Sequence, residues 1–170
     1  MLQAAAARYP MLSVEAVQEI IRARCRALPA EKVEVDLAHG RVLAAPIHAP
    51  ESLPPFRSSA VDGYAVRSSD GTSPRRLVAE ITAGQSGEQP LGAGEAAWVT
   101  TGAPLPPGAD AMVMVEYTRR HGDRVELDYT PRADEGWHPV GQDVTEGQVV
   151  LAHQTVLGPA ELGLLASLGV

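Results

Sequence analysis

The most informative stretch of the sequence is Pro54-Pro55-Phe56-Arg57-Ser58-Ser59-Ala60-Val61-Asp62-Gly63-Tyr64-Ala65-Val66. Two prolines stiffen its start, two serines supply hydroxyl groups, and the Asp-Gly pair predicts a tight bend before a strand. A bend that presents a carboxylate beside hydroxyls can hold a hydrated cation or orient a water molecule. An Asp-Gly pair can also simply turn the chain. The residue types by themselves leave both interpretations open.

A second segment, residues 99–110, follows with the sequence Val-Thr-Thr-Gly-Ala-Pro-Leu-Pro-Pro-Gly-Ala-Asp. A predicted strand runs into small residues whose backbone amides could approach an anion closely, with Thr101 as an additional donor. The segment lacks the Gly-Lys-Ser/Thr ending of a phosphate-binding P-loop, which excludes that motif. The simpler alternative is a strand followed by a proline-rich loop.

A third segment, Gly141–Gly147, brings Asp143 and Glu146 close together in a predicted loop. These carboxylates could share a cation, or they could be solvated surface groups. The five histidines show no metal-ligand spacing, so the metal ligands stay unknown. Cys25 is the only cysteine, which excludes a disulfide framework, and its place in a predicted helix favours a buried, inert thiol.

The rest of the chain predicts an α+β, β-rich fold with helices near both ends. Ser13 is a helix cap, an apolar stripe at helical spacing follows it, and Pro29 is expected to end this helix. Pro159 is expected to open a last helix. Predicted strands are Val33–Leu37, Arg41–Ala44, Tyr64–Val66, Leu77–Ile81, Ala96–Thr100, Ala111–Glu116, Val125–Leu127 and Val149–Leu151.

This distribution predicts a β-rich module inserted into a discontinuous subdomain. Residues 1–45 and 144–170 are expected to form the discontinuous, helix-containing subdomain. Residues 46–143 are expected to form the inserted β-rich domain, which carries the Asp62 and Thr101 motifs. The apolar stripe of the first helix needs a partner, either the chain's own core or a second subunit.

Composition and charge restrict the functional class. The formal charge of −7 argues against sequence-independent nucleic-acid binding, which depends on lysine and arginine neutralising phosphates. No run approaches the ~20 apolar residues of a membrane-spanning helix. The start of the chain, Met1–Tyr9, has no apolar region typical of a signal peptide. We therefore expect a cytoplasmic protein that binds neither membrane nor nucleic acid.

Together the three segments resemble the MoeA and gephyrin E-domain family, the molybdopterin molybdenumtransferases. The first segment is similar to the family signature Pro-Pro-Phe-Asp-Asn-Ser-Ala-Met-Asp-Gly-Tyr-Ala. Thr101-Gly102-Ala103-Pro104 is similar to its Thr-Gly-Ala-Pro segment, and Gly141-Gln142-Asp143 to its Gly-Glu-Asp. Order and spacing agree over about residues 12–170, which corresponds to the N-terminal region, or first two domains, of the family.

The resemblance implies an elongated homodimer and an enzyme that inserts molybdate into adenylylated molybdopterin with release of AMP. It implies a divalent cation, expected to be Mg²⁺, and the molybdopterin adenylyltransferase as a further partner. Asp62, Thr101 and Asp143 are then the expected catalytic residues. The expected substrate-binding residues are Ser58, Ser59, Thr100, Gly102 and Ala103, with phosphate or molybdate oxygens held by Thr101 and the adjacent amides.

The chain departs from the family pattern at several of these positions. Arg57-Ser58 stands where the family usually has Asp-Asn, Gly136-Trp137-His138 replaces Asn-Ile-Arg, and Gln142 replaces a glutamate. The family also continues beyond this region into an α/β domain that supplies much of the pterin-phosphate pocket. We therefore do not expect catalysis by these 170 residues alone. A non-catalytic binding or scaffold module derived from the family is the alternative.

Overall fold

A computed structural model describes residues 11–170. The start of the chain, where the sequence predicts no signal peptide, lies outside the described residues. The chain divides into two compact units, residues 1–34 and residues 35–170. The first contains one helix, and the second contains all the β-strands and the second helix among the described residues.

The first unit is built around helix α1, Val14–Arg24. It begins as predicted, because the Ser13 hydroxyl accepts a hydrogen bond from the Ala16 amide at 3.2 Å. The predicted end at Pro29 is wrong, since Cys25 already has an extended backbone. Cys25 therefore follows the helix and is exposed, which corrects the expectation of a buried thiol. No residue of α1 is buried, and its apolar stripe faces outward.

The second unit is organised by a six-stranded mixed sheet. Its strands are β3 (Gly63–Val66), β4 (Arg75–Ile81), β5 (Glu95–Val99), β6 (Ala111–Met114), β7 (Thr118–His121) and β8 (Arg124–Leu127). They lie in the order β6-β3-β5-β4-β8-β7. β4 and β5 are parallel, and the other neighbouring pairs are antiparallel.

Two short antiparallel ribbons complete the second unit. β1 (Ile47–His48) pairs with β10 (Val149–Leu151), and β2 (Ser58–Ser59) pairs with β9 (Trp137–His138). The second ribbon includes part of the first motif segment, residues 54–66, because β2 lies inside it.

Three clusters of buried apolar side chains form the core. Two of them cover the sheet and consist mainly of alanine, valine and leucine, since only 4% of the chain is aromatic. The third packs Ala38 against Leu157 and Leu165, the last of these from helix α2, Pro159–Ser167. Helix α2 begins as predicted at Pro159, and Glu161 accepts the Gly158 amide at 2.9 Å.

The predicted α+β, β-rich class is confirmed, and most predicted strands are present. Val33–Leu37 is not a strand but ends in a 3₁₀ turn at Val35–Leu37, and Arg41–Ala44 contributes only one bridge, from Val42 to Val156. A short alternating segment becomes a strand only where a neighbouring strand accepts its backbone hydrogen bonds. None lies beside Val33–Leu37 in the described residues, and residues 41–43 pair with residues 155–157 over this single bridge. The predicted strand Ala111–Glu116 stops at Met114, where another 3₁₀ turn begins.

Candidate functional site

The first and second segments lie edge to edge. In β2 the Ser59 amide donates to the Ala103 carbonyl, and the Ser59 carbonyl accepts from the Gly102 amide, both at 2.9 Å. The Leu105 amide donates to the Arg57 carbonyl at 2.9 Å and extends the pairing. The fold therefore joins two motifs that are about forty residues apart in the sequence.

The two serines of β2 are buried. Ser59 is 1% exposed, and its hydroxyl donates to the Val61 carbonyl and accepts from the Val61 amide. This local loop bends the chain toward Asp62. Ser58 is 6% exposed and pairs with His138 of β9. Both serines were predicted to contact substrate, and the structure places them beneath the surface that carries Asp62.

Asp62 and Thr101 form the central contact of the site. The Asp62 Oδ1 atom accepts the Thr101 amide at 2.7 Å and the Thr101 hydroxyl at 2.9 Å. These two bonds, the amide first, lower the pKa of Asp62 below its ordinary value. Both residues are exposed. With its pKa lowered, Asp62 is an ionised carboxylate at neutral pH, and both hydrogen bonds from Thr101 go to Oδ1 and leave Oδ2 to solvent.

The packing of β3, the strand that follows Asp62, explains why residue 63 is a glycine. A Cβ at Gly63 would lie 2.0 Å from the Val113 carbonyl oxygen, because β3 runs between β5 and β6 at close approach. The Asp62 carbonyl accepts the Val115 amide at 3.1 Å. Both ends of the bend are thus fixed by the sheet, and the exposed apolar side chains of Met114 and Val115 flank it.

The expected cradle of free amides is absent from the 100–103 turn. The Thr101 amide donates to Asp62, the Gly102 amide to Ser59, and the Ala103 amide to the Thr100 carbonyl at 3.0 Å. The Thr100 hydroxyl accepts the Ala83 amide at 3.2 Å. Each of these amides thus already donates within the protein, and the expectation that they hold an anion stays a prediction. The turn instead holds the Asp62 carboxylate.

The third segment lies beside the start of the first. The Gly141 amide donates to the Pro54 carbonyl at 3.0 Å, and the Asp143 amide donates to the Leu53 carbonyl at 2.9 Å. The Asp143 side chain is exposed. No hydrogen bond within residues 11–170 links its carboxylate to Asp62 or Thr101. The structure therefore brings the three segments together through their backbones, but it joins only two of the three predicted catalytic side chains.

The departures from the family pattern contact one another. The Arg57 guanidinium lies over the Trp137 ring at 5.4 Å and donates to the Ala109 carbonyl at 3.3 Å. His138 and Gln142 are joined by a hydrogen bond of 2.9 Å between Nδ1 and Oε1. Four of the unusual residues therefore form two contacting pairs, Arg57 with Trp137 and His138 with Gln142.

Asp110 has a structural role that the sequence pattern did not predict. Its carboxylate accepts the Ser68 amide at 2.6 Å and the Ser68 hydroxyl at 2.8 Å. Its carbonyl accepts the Trp137 indole N–H at 3.1 Å. The only signal in the sequence was its position at the end of the second segment. Asp110 anchors that segment to the 3₁₀ turn Ser68–Asp70, which follows β3.

The described residues do not form a metal site by themselves. Within residues 11–170 no group of three or more histidine, cysteine, aspartate or glutamate side chains could hold a metal ion. Magnesium commonly takes only one or two protein carboxylates and completes its shell with water and substrate phosphates. The donor set here fits only that kind of site, in which Asp62 is an exposed carboxylate held in place by two hydrogen bonds.

Comparison with known proteins identifies the family. Residues 12–169 match the family model described as MoeA N-terminal region (domain I and II). The chain belongs to this family. The resemblance inferred from the MoeA-like motifs is confirmed, and so is the MoeA-like fold. The described residues contain no helix with the length and apolar character that a membrane span requires.

The most informative relatives are longer than this chain. It is 35% identical to gephyrin of Dictyostelium discoideum over 95% of this chain and 25% of the relative. It is 37% identical to molybdopterin molybdenumtransferase 2 of Mycobacterium tuberculosis over 94% of this chain and 41% of the relative. A solved MoeA protein of molybdopterin biosynthesis from Pyrococcus horikoshii superposes with a TM-score of 0.85 at 28% identity. That structure covers 95% of this chain, and this chain covers 43% of it. The chain thus spans between a quarter and about two fifths of these proteins.

Proposed function

We propose that this chain is the N-terminal part of a molybdopterin molybdenumtransferase that acts in molybdenum cofactor biosynthesis. The whole enzyme would insert molybdate into adenylylated molybdopterin and release AMP. The family match and the names of two relatives support the pathway. The observation in the structure that supports a chemical role is the exposed, ionised Asp62 carboxylate held by Thr101.

Within this proposal the chain supplies one wall of the active cleft. Thr101 occupies Asp62 Oδ1 with two donors and fixes the orientation of the carboxylate, so that Oδ2 can accept a hydrogen bond from a pterin N–H or a bound water. Asp143 would complete the set of catalytic residues from its exposed turn. The remaining predicted substrate-binding residues form the framework of the same wall, with Ser58 and Ser59 in β2 and Thr100, Gly102 and Ala103 in the turn itself.

A divalent cation, expected to be Mg²⁺, would neutralise phosphate charge when bound. Asp62 Oδ2 and the Asp143 carboxylate are the groups of this chain that would help to hold it, with substrate phosphates as the other donors. Both side chains are exposed to solvent, which such a shared shell requires.

We also propose that the chain provides the dimer framework of a cytoplasmic homodimer, with α1 as the dimerisation helix. None of its residues is buried, and Val17, Ile20 and Ile21 lie exposed on it at helical spacing. The small-molecule partner would be the adenylylated pterin, delivered by the molybdopterin adenylyltransferase.

The decisive experiment uses the natural protein in cells that lack their own copy of it. Asp62→Asn keeps the size of the side chain and removes its charge, so we expect molybdoenzyme activity to fall to the level of cells without the protein. Asp123→Asn, in the exposed turn between β7 and β8, is the matched control and should keep full activity. Protein level and thermal unfolding are measured for both variants.

One observation favours a second candidate, a non-catalytic binding or scaffold module. The backbone amides of the 100–103 turn all donate hydrogen bonds within the protein, so the turn offers no free amide to an oxyanion. In that case Asp62→Asn would leave molybdoenzyme activity at the wild-type level. That outcome would reject the catalytic proposal and support the scaffold.

A further inference from the structure

The Arg57 guanidinium contacts two different segments at once. Nη1 donates to the Ala109 carbonyl at 3.3 Å, while the guanidinium carbon lies 5.4 Å from the centre of the Trp137 ring. A planar guanidinium can stack on an aromatic face and donate along its edge at the same time, which a lysine ammonium cannot do. A single side chain of the first segment therefore links the second segment to β9.

Trp137 is fixed independently of Arg57. Its indole N–H donates to the Asp110 carbonyl at 3.1 Å, and its ring packs against the first core cluster. Asp110 is itself held by two hydrogen bonds from Ser68. The aromatic face that Arg57 covers is thus attached to the core, and it gives the guanidinium a rigid support.

Arg57 also stands at the start of the strand that holds the Thr101 turn. Its carbonyl accepts the Leu105 amide, and Ser59, two residues later, exchanges hydrogen bonds with Gly102 and Ala103. These bonds place the turn on which Thr101 donates twice to Asp62. A displacement of β2 would therefore reach the Asp62 carboxylate through a short series of hydrogen bonds.

We propose that Arg57 is a positioning residue, whose guanidinium clamps β2 between Trp137 and the Ala109 carbonyl and thereby fixes the turn where Asp62 meets Thr101. This inference rests on the proposed function, because that function makes the Asp62–Thr101 pair important. The contacts of Arg57 that form the clamp are observed in this chain itself. Arg57, which replaces an aspartate of the family pattern, is then part of the framework of the site rather than a sign that the site has been lost.

The test measures the pKa of the Asp62 carboxyl by NMR titration in the 170-residue chain. Arg57→Lys keeps the positive charge and removes the planar fork, while Arg57→Gln removes both. Thr101→Val provides a reference value for the raised pKa of Asp62, because it deletes one of the two donors to this carboxylate. Arg119→Gln is the matched control, since Arg119 pairs with Asp128 at the far edge of the sheet.

We expect both Arg57 variants to raise the pKa of Asp62 toward its value in Thr101→Val, and Arg119→Gln to leave it unchanged. A rise in the glutamine variant alone would show a charge effect and overturn the clamp. An unchanged pKa in both variants, together with a lower unfolding temperature, would show that Arg57 only stabilises the fold and would overturn it as well.

Trp137→Leu keeps the test decisive if the Arg57 variants do not fold. It leaves an apolar side chain against the core but removes the aromatic face that the Arg57 guanidinium covers, so the pKa of Asp62 should rise, and no rise would again reject the clamp. These results do not depend on enzyme activity. Failure of the proposed function would instead appear as wild-type molybdoenzyme activity in cells that carry the Asp62→Asn variant.

Discussion

Asp62 illustrates how a single residue acquires its properties from a distant partner. Alone in a bend, an aspartate followed by glycine is an ordinary turn former. Here the amide and hydroxyl of Thr101, both from another loop, bind the same carboxylate oxygen and lower the pKa of Asp62. The amide makes the larger contribution and the hydroxyl the smaller.

We predict that Thr101→Val raises the pKa of Asp62 only in part, because the amide donor remains. Thr101→Ser keeps the hydroxyl and should leave the pKa at its wild-type value. Since the folded-state pKa is depressed, the stability that Asp62 contributes is present above the pKa of an unfolded aspartate and is lost as the pH falls through the folded-state pKa.

The measurement for this prediction is a carboxyl NMR titration, paired with unfolding midpoints taken from neutral to acidic pH. Thr101→Val should lose less stability than wild type over the acidic range. An unchanged pKa in Thr101→Val would mean that the hydroxyl does not donate to Asp62 in solution.

Tyr129 provides a prediction at alkaline pH. Burial, followed by the hydrogen bond to Glu135 and the charge of that carboxylate, raises the pKa of Tyr129 to about 12. We expect Glu135→Gln to lower it, because the negative charge disappears. An ultraviolet absorbance titration, corrected with Tyr129→Phe, measures the pKa.

The stability that the Tyr129 hydroxyl contributes depends on pH in the opposite sense from that of Asp62. Because the folded-state pKa of Tyr129 is raised, its contribution is complete below the ordinary tyrosine pKa of 10.0 and is lost as the pH rises toward about 12. Wild type should lose more stability than Tyr129→Phe over this range. Equal losses would contradict the environment assigned to Tyr129.

At the scale of elements, the sheet depends on close packing of backbones at β3. Gly63 pairs with Val99 on one side and Met114 on the other, and its Cα faces the Val113 carbonyl. The strand that begins immediately after the Asp62 bend therefore has no room for a side chain at its first position. The position of the site and the packing of the sheet are set by the same residue.

We predict that Gly63→Ala destabilises the protein by roughly 3 kcal/mol, because its Cβ would overlap backbone that cannot move aside. Gly163→Ala is the matched control, since Gly163 lies in α2 with open space around it. That change should stabilise the protein by about 0.5–1 kcal/mol. Chemical denaturation measures both, and similar effects of the two substitutions would contradict the packing described at β3.

At the scale of the whole molecule, the chain divides into residues 1–34 and residues 35–170. All three core clusters lie in the second unit, including the one that joins Ala38 to helix α2. The hydrogen bonds of the Asp62 site also lie within that unit. The second unit therefore contains the apolar burial and the polar contacts that the site requires.

We predict that residues 35–170 fold without residues 1–34 and keep the lowered pKa of Asp62. Circular dichroism should show an unfolding temperature close to that of the whole chain. Leu165→Ala in the third core cluster is the positive control and should cost about 2–5 kcal/mol. A fragment that is unfolded, or that has an ordinary Asp62 pKa, would contradict the independence of the second unit.

The sequence by itself determined the family, the α+β class and the elements with strong local signals. Helix α1 begins at its serine cap, α2 begins at Pro159, and strands such as Arg75–Ile81 follow their apolar residues. The motifs also indicated Asp62 and Thr101 before any geometry was known. Local rules were sufficient because caps, prolines and apolar runs act within a few residues.

Tertiary structure decided everything that depends on a partner distant in sequence. It placed a 3₁₀ turn at Val35–Leu37, inside the predicted strand Val33–Leu37, because no strand lies beside this segment. It paired the two-residue strand Ser58–Ser59 with Trp137–His138. It also used the amides of the Thr101 turn internally, which the sequence predicted to be free. A backbone hydrogen bond has no residue-type signature, so only the fold determines which N–H groups remain open to a ligand.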